Sequence, residues 1–140
     1  MKRLPLIAAF LALPVAAEDA RQFVQLAPPA QETLRLEMLD NLLALNEILA
    51  LLAENKVKEA GALAEERLGR GAMGKNARLP FEARPGPQMP RAMHDIGRAG
   101  HDAASAFAEA ASGGDRQAAL DKLPAIMNAC IGCHASYRTR

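Results

Sequence analysis

Cys130-Ile131-Gly132-Cys133-His134, followed at once by Ala135-Ser136-Tyr137-Arg138, closes the chain and decides how the rest of it is read. Two thiols three residues apart, with an imidazole directly after the second, are the attachment signature of c-type haem. Each thiol can add to one of the two vinyl groups of a single porphyrin. The adjacent His134 then falls beneath the iron as its proximal ligand. Leu120, Leu123, Met127, Cys130, His134 and Tyr137 recur at steps of three and four, which predicts a helix with these side chains on one inward face. Rival readings of the cysteines are weaker. A thioredoxin-like redox pair needs a βαβ unit, and none can be read around the motif. A structural zinc site needs further ligands nearby, yet the other histidines, His94 and His101, lie far upstream. An exported disulfide is the plain alternative.

The opposite end of the chain carries a matching signal. Lys2 and Arg3 form a charged n-region, Leu4 to Leu13 an apolar h-region, and Val15-Ala16-Ala17 a small-residue cleavage site before Glu18. The apolar run is too short to span a bilayer, so residues 1–17 are expected to be a signal peptide, with a retained anchor as the alternative. Residues 18–140 are then one exported, periplasmic domain, soluble rather than membrane-embedded. Without Lys2 and Arg3 the 17 basic side chains fall to 15, against 16 acidic ones. Such a balance gives no basic patch for nucleic acid or anionic lipid. With no Trp, one Tyr and four Phe, the apolar content rests on Ala and Leu, which favours helices.

Four helical segments can be marked. Pro28-Pro29 closes a short lead-in, and a helix is expected from about Gln31 to Glu54. Its stripe is Leu34, Met38, Leu42, Leu45, Leu49 and Leu52, widened by Leu39, Leu43 and Ile48. After a break at Asn55-Lys56 a second helix runs to about Leu68, with Val57, Ala60, Leu63, Ala64 and Leu68 inward. Gly and Pro residues from Gly69 to Pro90 exclude a regular helix and predict a long crossover. A third helix opens near Pro90 with Met93, Ile96, Gly100, Ala103, Ala104, Phe107 and Ala111 on one face, and Ser112-Gly113-Gly114 ends it. Asp115 reads as the N-cap of the last helix, in which Pro124 predicts a kink or a break near Leu123. Short first and last links with a long middle one predict an all-α fold: an antiparallel four-helix bundle with a crossover loop between its second and third helices.

The tail Cys130-x-x-Cys133-His134-x-x-Tyr137-Arg138 resembles the ending of the class II cytochromes c, that is, cytochrome c-prime and its low-spin relatives. The run from Met38 to Ile48 is similar to the first helix of that group. The runs Met89 to Gly97 and His101 to Phe107 are similar to the third helix of an exported branch. The resemblance implies one covalently attached haem c per chain and a role in single-electron transfer with redox partner proteins, or in binding NO or CO. It also implies that the first helix supplies the distal side of the haem. There Met38 would give a six-coordinate, electron-carrying iron, because a thioether ligand raises the reduction potential. Leu42, one turn later, or Leu39 in another register, would leave the iron open to gas. Relatives often form homodimers through their first two helices.

Other positions carry lesser expectations. Arg138 follows His134 by one turn and, by the resemblance, shields the proximal imidazole; its plain role is pairing with the helix dipole. Arg35 is a partner for a haem propionate. Gly97 and Gly100 within one turn of a helix suggest close approach by something flat, read here as the porphyrin, with close helix–helix contact as the alternative. His94 and His101, seven residues apart, are read more plainly as surface or capping groups. No nucleophile–base set or acid–base pair stands out, so the chain is read as a carrier and not as an enzyme.

Overall fold

The computed structural model describes residues 18–140, and the leader expected at 1–17 lies outside the described residues. The described chain is all-α apart from two two-residue strands. Helix α1 (Pro28–Ala53) starts at the proline pair itself, three residues before the expected Gln31. Proline fits there because first-turn amides have no intrahelical acceptor. Asn55, at φ 60°, takes the left-handed conformation that asparagine tolerates, and Lys56 N donates back to Leu51 O at 2.8 Å. The chain thus turns directly into α2 (Val57–Arg67).

The crossover, residues 68–90, holds three single 3₁₀ turns at Arg70–Ala72, Phe81–Ala83 and Gly86–Gln88. Gln88 organises its second half: Nε2 donates to the carbonyls of Phe81, Glu82 and Arg84, while Oε1 accepts from Ala27 N at 2.8 Å, just ahead of α1. Helix α3 (Arg91–Ala111) follows. Asp115 then caps α4 (Arg116–Leu120) by accepting from the amides of Gln117 and Ala118, an arrangement worth about 1 kcal/mol. The chain breaks at Asp121-Lys122 and restarts as α5 (Leu123–Ser136), with Pro124 in the first turn. Placed there, the missing donor costs nothing, so the expected discontinuity is a clean break.

Helix α1 packs on α2, α2 on α3, and α3 on α5, whereas α1 and α5 scarcely touch. The main core gathers Leu45, Ile48 and Leu52 of α1, Val57, Ala60 and Ala64 of α2, Ala104, Phe107 and Ala111 of α3, Ala119 of α4 and Ile126 of α5. Phe107, Ile48 and Leu52 are fully enclosed; each such side chain contributes roughly 1.5–3 kcal/mol of transfer free energy. A Cβ on Gly61 would stand 2.8 Å from Ala111 Cβ and 3.2 Å from the Ala108 carbonyl, so only glycine lets α2 and α3 approach this closely.

The expected stripe on α1 needs correction. Leu45, Ile48 and Leu52 are buried, but Met38, Leu39, Leu42, Leu43 and Leu49 are exposed. The core side of α1 runs through Ala44, Leu45, Ile48 and Leu52. At 100° per residue, Met38, Leu42 and Leu49 fall on the adjoining strip, and Leu39 and Leu43 lie further round.

The two strands were not foreseen. β1 (Gln22–Phe23) and β2 (Tyr137–Arg138) pair in parallel, Gln22 beside Tyr137 and Phe23 beside Arg138, tying the start of the described chain to its end. A second cluster lies under this ladder: Val24, Leu26, Ala30 and Met93, with Leu34, Met89, Cys133 and Tyr137 packed against it.

Candidate functional site

The motif helix presents two sides. Ile126 is buried in the main core, Ala129 meets α3, and Cys133 packs on the second cluster. Met127 and His134 are exposed. The expected inward face holds at Leu120, Leu123 and Tyr137, which pack on the two clusters, but Met127 and His134 do not point into a core, and Ile126, Ala129 and Cys133 carry the packing between. By helical spacing Leu123, Met127, Cys130 and His134 form the neighbouring strip. Cys130 and Cys133 are free thiols, both half-buried, and burial pushes both up from the ordinary thiol range.

The first part of that strip, Leu123 and Met127, faces α1 across a groove. Leu42, Leu45, Asn46 and Leu49 of α1 and Leu123 and Met127 of α5 enclose a cavity of about 180 Å³ with an almost wholly apolar lining. Both walls carry large exposed apolar side chains: Leu42 is 63% exposed, Leu49 49%, Met127 41% and Met38 36%. Exposed apolar side chains concentrated on facing walls mark a ligand or partner surface. At the far end the walls converge, and Gln31 Nε2 bonds the Thr139 carbonyl.

The last turn of α5 is held from outside. Arg21 Nη1 donates to the His134 carbonyl at 3.4 Å, and Val24 N donates to Arg138 O at 2.8 Å. The Arg138 guanidinium lies 5.1 Å from the centre of the Phe23 ring, and its Nε stands 3.6 Å from Asp19 Oδ2. Arg21 also chelates Asp19, and mainly through those hydrogen bonds the Asp19 carboxyl is lowered to about 2. Tyr137 is half-buried in the second cluster. None of Asp19, Arg21, Phe23 and Val24 was expected near the motif. The one signal was slight, Val24 and Leu26 apolar on either side of Gln25 just before Pro28.

Two expected site residues are otherwise engaged. Arg35 pairs with Glu32 one turn back, both exposed. Gly100 meets α5 instead of leaving room for a flat ligand: a Cβ there would lie 3.3 Å from Ala129 Cβ, so close helix–helix contact accounts for it. His94 is exposed. His101 caps α2, its Nδ1 lying 2.7 Å from the Leu68 carbonyl and 3.1 Å from that of Gly69. Carbonyls only accept, so Nδ1 carries the proton.

The donor set is one that could hold a porphyrin covalently: two free thiols and an unburied imidazole share one helix, whose Leu123 and Met127 line an apolar groove. Among the described residues no group of three or more His, Cys, Asp and Glu converges as a metal-binding cluster. No helix among them is long and apolar enough to cross a membrane. No protein-family model matches the chain, nor does any curated protein or solved structure.

Proposed function

We propose that the chain is an exported, periplasmic monohaem cytochrome of the class II type, an antiparallel four-helix bundle that carries single electrons. The observation that supports this reading is the apolar groove between α1 and α5, one wall of which belongs to the helix that carries the haem-attachment motif. Cys130 and Cys133 would hold the porphyrin by adding S–H across its vinyl groups, and His134 would ligate the iron. When bound, haem supplies a one-electron couple; the chain's part is to orient it, exclude water and set its potential through the axial ligands.

Register supports one choice of distal ligand. Gln31 meets Thr139 at one end of the groove, and Leu42 to Leu49 oppose Leu123 to Met127 at the other. These two meetings support an antiparallel passage of the helices, in which Met38 would stand within about a turn of the level of His134. Met38 shares the groove strip with Leu42 and Leu49, which supports His134/Met38 ligation. Leu42, the most exposed of these side chains, favours the second reading, an open distal position that takes NO or CO. The exposed Leu36, Leu39 and Leu43 offer a homodimer an apolar surface further round α1.

The test is the absorption spectrum of the purified full chain, oxidised and reduced, with and without CO. A low-spin spectrum with a Met–ferric charge-transfer band, lost in Met38→Ala, is the expected result. A high-spin spectrum that shifts on adding gas would move the open-site reading to first place. A denaturing gel with no haem-stained band would remove both.

A further inference from the structure

The short stretch 19–26 touches the end of the motif helix by four separate means. Its backbone pairs with Tyr137 and Arg138. Arg21 donates to the carbonyl of His134 itself. Phe23 lies under the Arg138 guanidinium. Val24 and Leu26, 4% and 8% exposed, lie in the cluster on which Cys133 and Tyr137 pack. Cys130, three residues earlier on the groove strip, packs on neither cluster. Cys133 thus sits against a segment from the far end of the sequence, and Cys130 is not among the described side chains packed on that segment's cluster.

We infer that residues 19–26 form a latch that fixes the last turn of α5, positioning His134 and controlling access to Cys133 but not to Cys130. The latch is light by construction. Its ladder is two residues long, and its ion pairs, Arg21–Asp19 and the long Arg138–Asp19 contact at 3.6 Å, are at least a third exposed, so they contribute little; its hold comes from Val24 and Leu26. A segment held by so few buried contacts opens locally at far lower cost than the whole fold. Cys133 then reacts in the latch-open state and is covered when the latch closes. On the haem reading, which this consequence alone rests on, attachment at Cys133 precedes docking of the latch, and docking afterwards stiffens the proximal ligand.

Thiol accessibility decides the matter without reference to haem. In the full chain with both thiols free, alkylation by iodoacetamide is followed at each cysteine by peptide mass analysis. Val24→Asp puts an unpaired carboxylate into the second cluster, a cost of well over the ~1.4 kcal/mol that corresponds to a factor of ten. It should speed alkylation of Cys133 on the order of tenfold or more and leave Cys130 unchanged. Phe23→Ala, which removes only the stacking with Arg138, should act in the same direction with a smaller effect. An unchanged rate at Cys133, or an equal rise at both thiols, would overturn the latch. In the haem-stained chain, Val24→Asp should also shift the reduction potential while the stained band persists. An unstained chain that still shows the Cys133-selective rise would reject the haem reading and keep the latch.

Discussion

The seam between α2 and α3 and the groove between α1 and α5 are made from the same few apolar residue types, yet they end differently. At the seam, Gly61, Ala60 and Ala64 meet Ala104, Ala108 and Ala111, and the backbones come so close that no Cβ fits at Gly61. Small residues leave nothing exposed there. Across the groove the opposing side chains are Leu42, Leu49, Met38 and Met127, each more than a third exposed, and the helices hardly meet. Large apolar side chains on both walls with no helix between them cost solvation free energy that packing does not return. The seam is closed by the polypeptide alone. The groove is left open by the polypeptide, and Met127 on its α5 wall lies one turn before Cys130 of the motif.

The contrast is broken most directly at Gly61. Gly61→Val drives its side chain into Ala111 and the Ala108 carbonyl, and the carbonyl belongs to a helix that cannot give way locally. Overpacking of this kind should cost about 1–3 kcal/mol or more, read as a lowered denaturation midpoint. A variant as stable as the parent would mean that the α2–α3 seam is slack. The groove should respond the other way. Leu42→Asn, at a side chain 63% exposed, should alter the stability of the haem-free chain by no more than about 0.5 kcal/mol. The same change should weaken retention of the low-spin spectrum. A loss of 2 kcal/mol or more in the haem-free chain would show that α1 and α5 close on one another, and the distinction between the regions would fail.

The same contrast explains what could be read from the residues alone. Where apolar residues are sparse and small, as in α2 and α3, spacing identified the inward side: Val57, Ala60, Ala64, Phe107 and Ala111 are all buried. Local chemistry was legible too, because Asp115 caps the helix it was read to cap, and the break near Leu123 that Pro124 signalled puts that proline in a first turn. In α1 the leucines cover more than one side of the helix, and periodicity cannot say which side meets protein and which meets a groove. The thiol–imidazole motif was visible as a string of residues, but its surroundings were not. Asp19, Arg21 and Val24 reach it from more than a hundred residues away, and no local pattern encodes that contact. Gly100 carried an ambiguous signal, since a missing Cβ makes room for a helix or a ligand alike.

The smallest predicted effect falls on the boundary between the two regions. Glu37 precedes Met38 but lies on the closed side of α1, half-buried, with Lys75 Nζ 3.8 Å from its Oε1. Burial pushes its carboxyl up. Lys75, His101 and a hydrogen bond with Asn76 pull the other way, Asp40 adds a small push of the same sign as burial, and burial wins. A carboxyl raised in the folded state contributes stability that is fully present below its unfolded value, near 4.5, and is lost as pH rises through the folded one. Glu37→Gln holds the neutral form at every pH. The variant and the parent should therefore melt together below about pH 4, and the variant should melt slightly higher at neutral pH. Melting curves from pH 3.5 to 8 check this. A variant that melts lower at pH 7 would show that Lys75 and His101 outweigh burial, making this boundary an ion-paired surface and not the edge of the closed core.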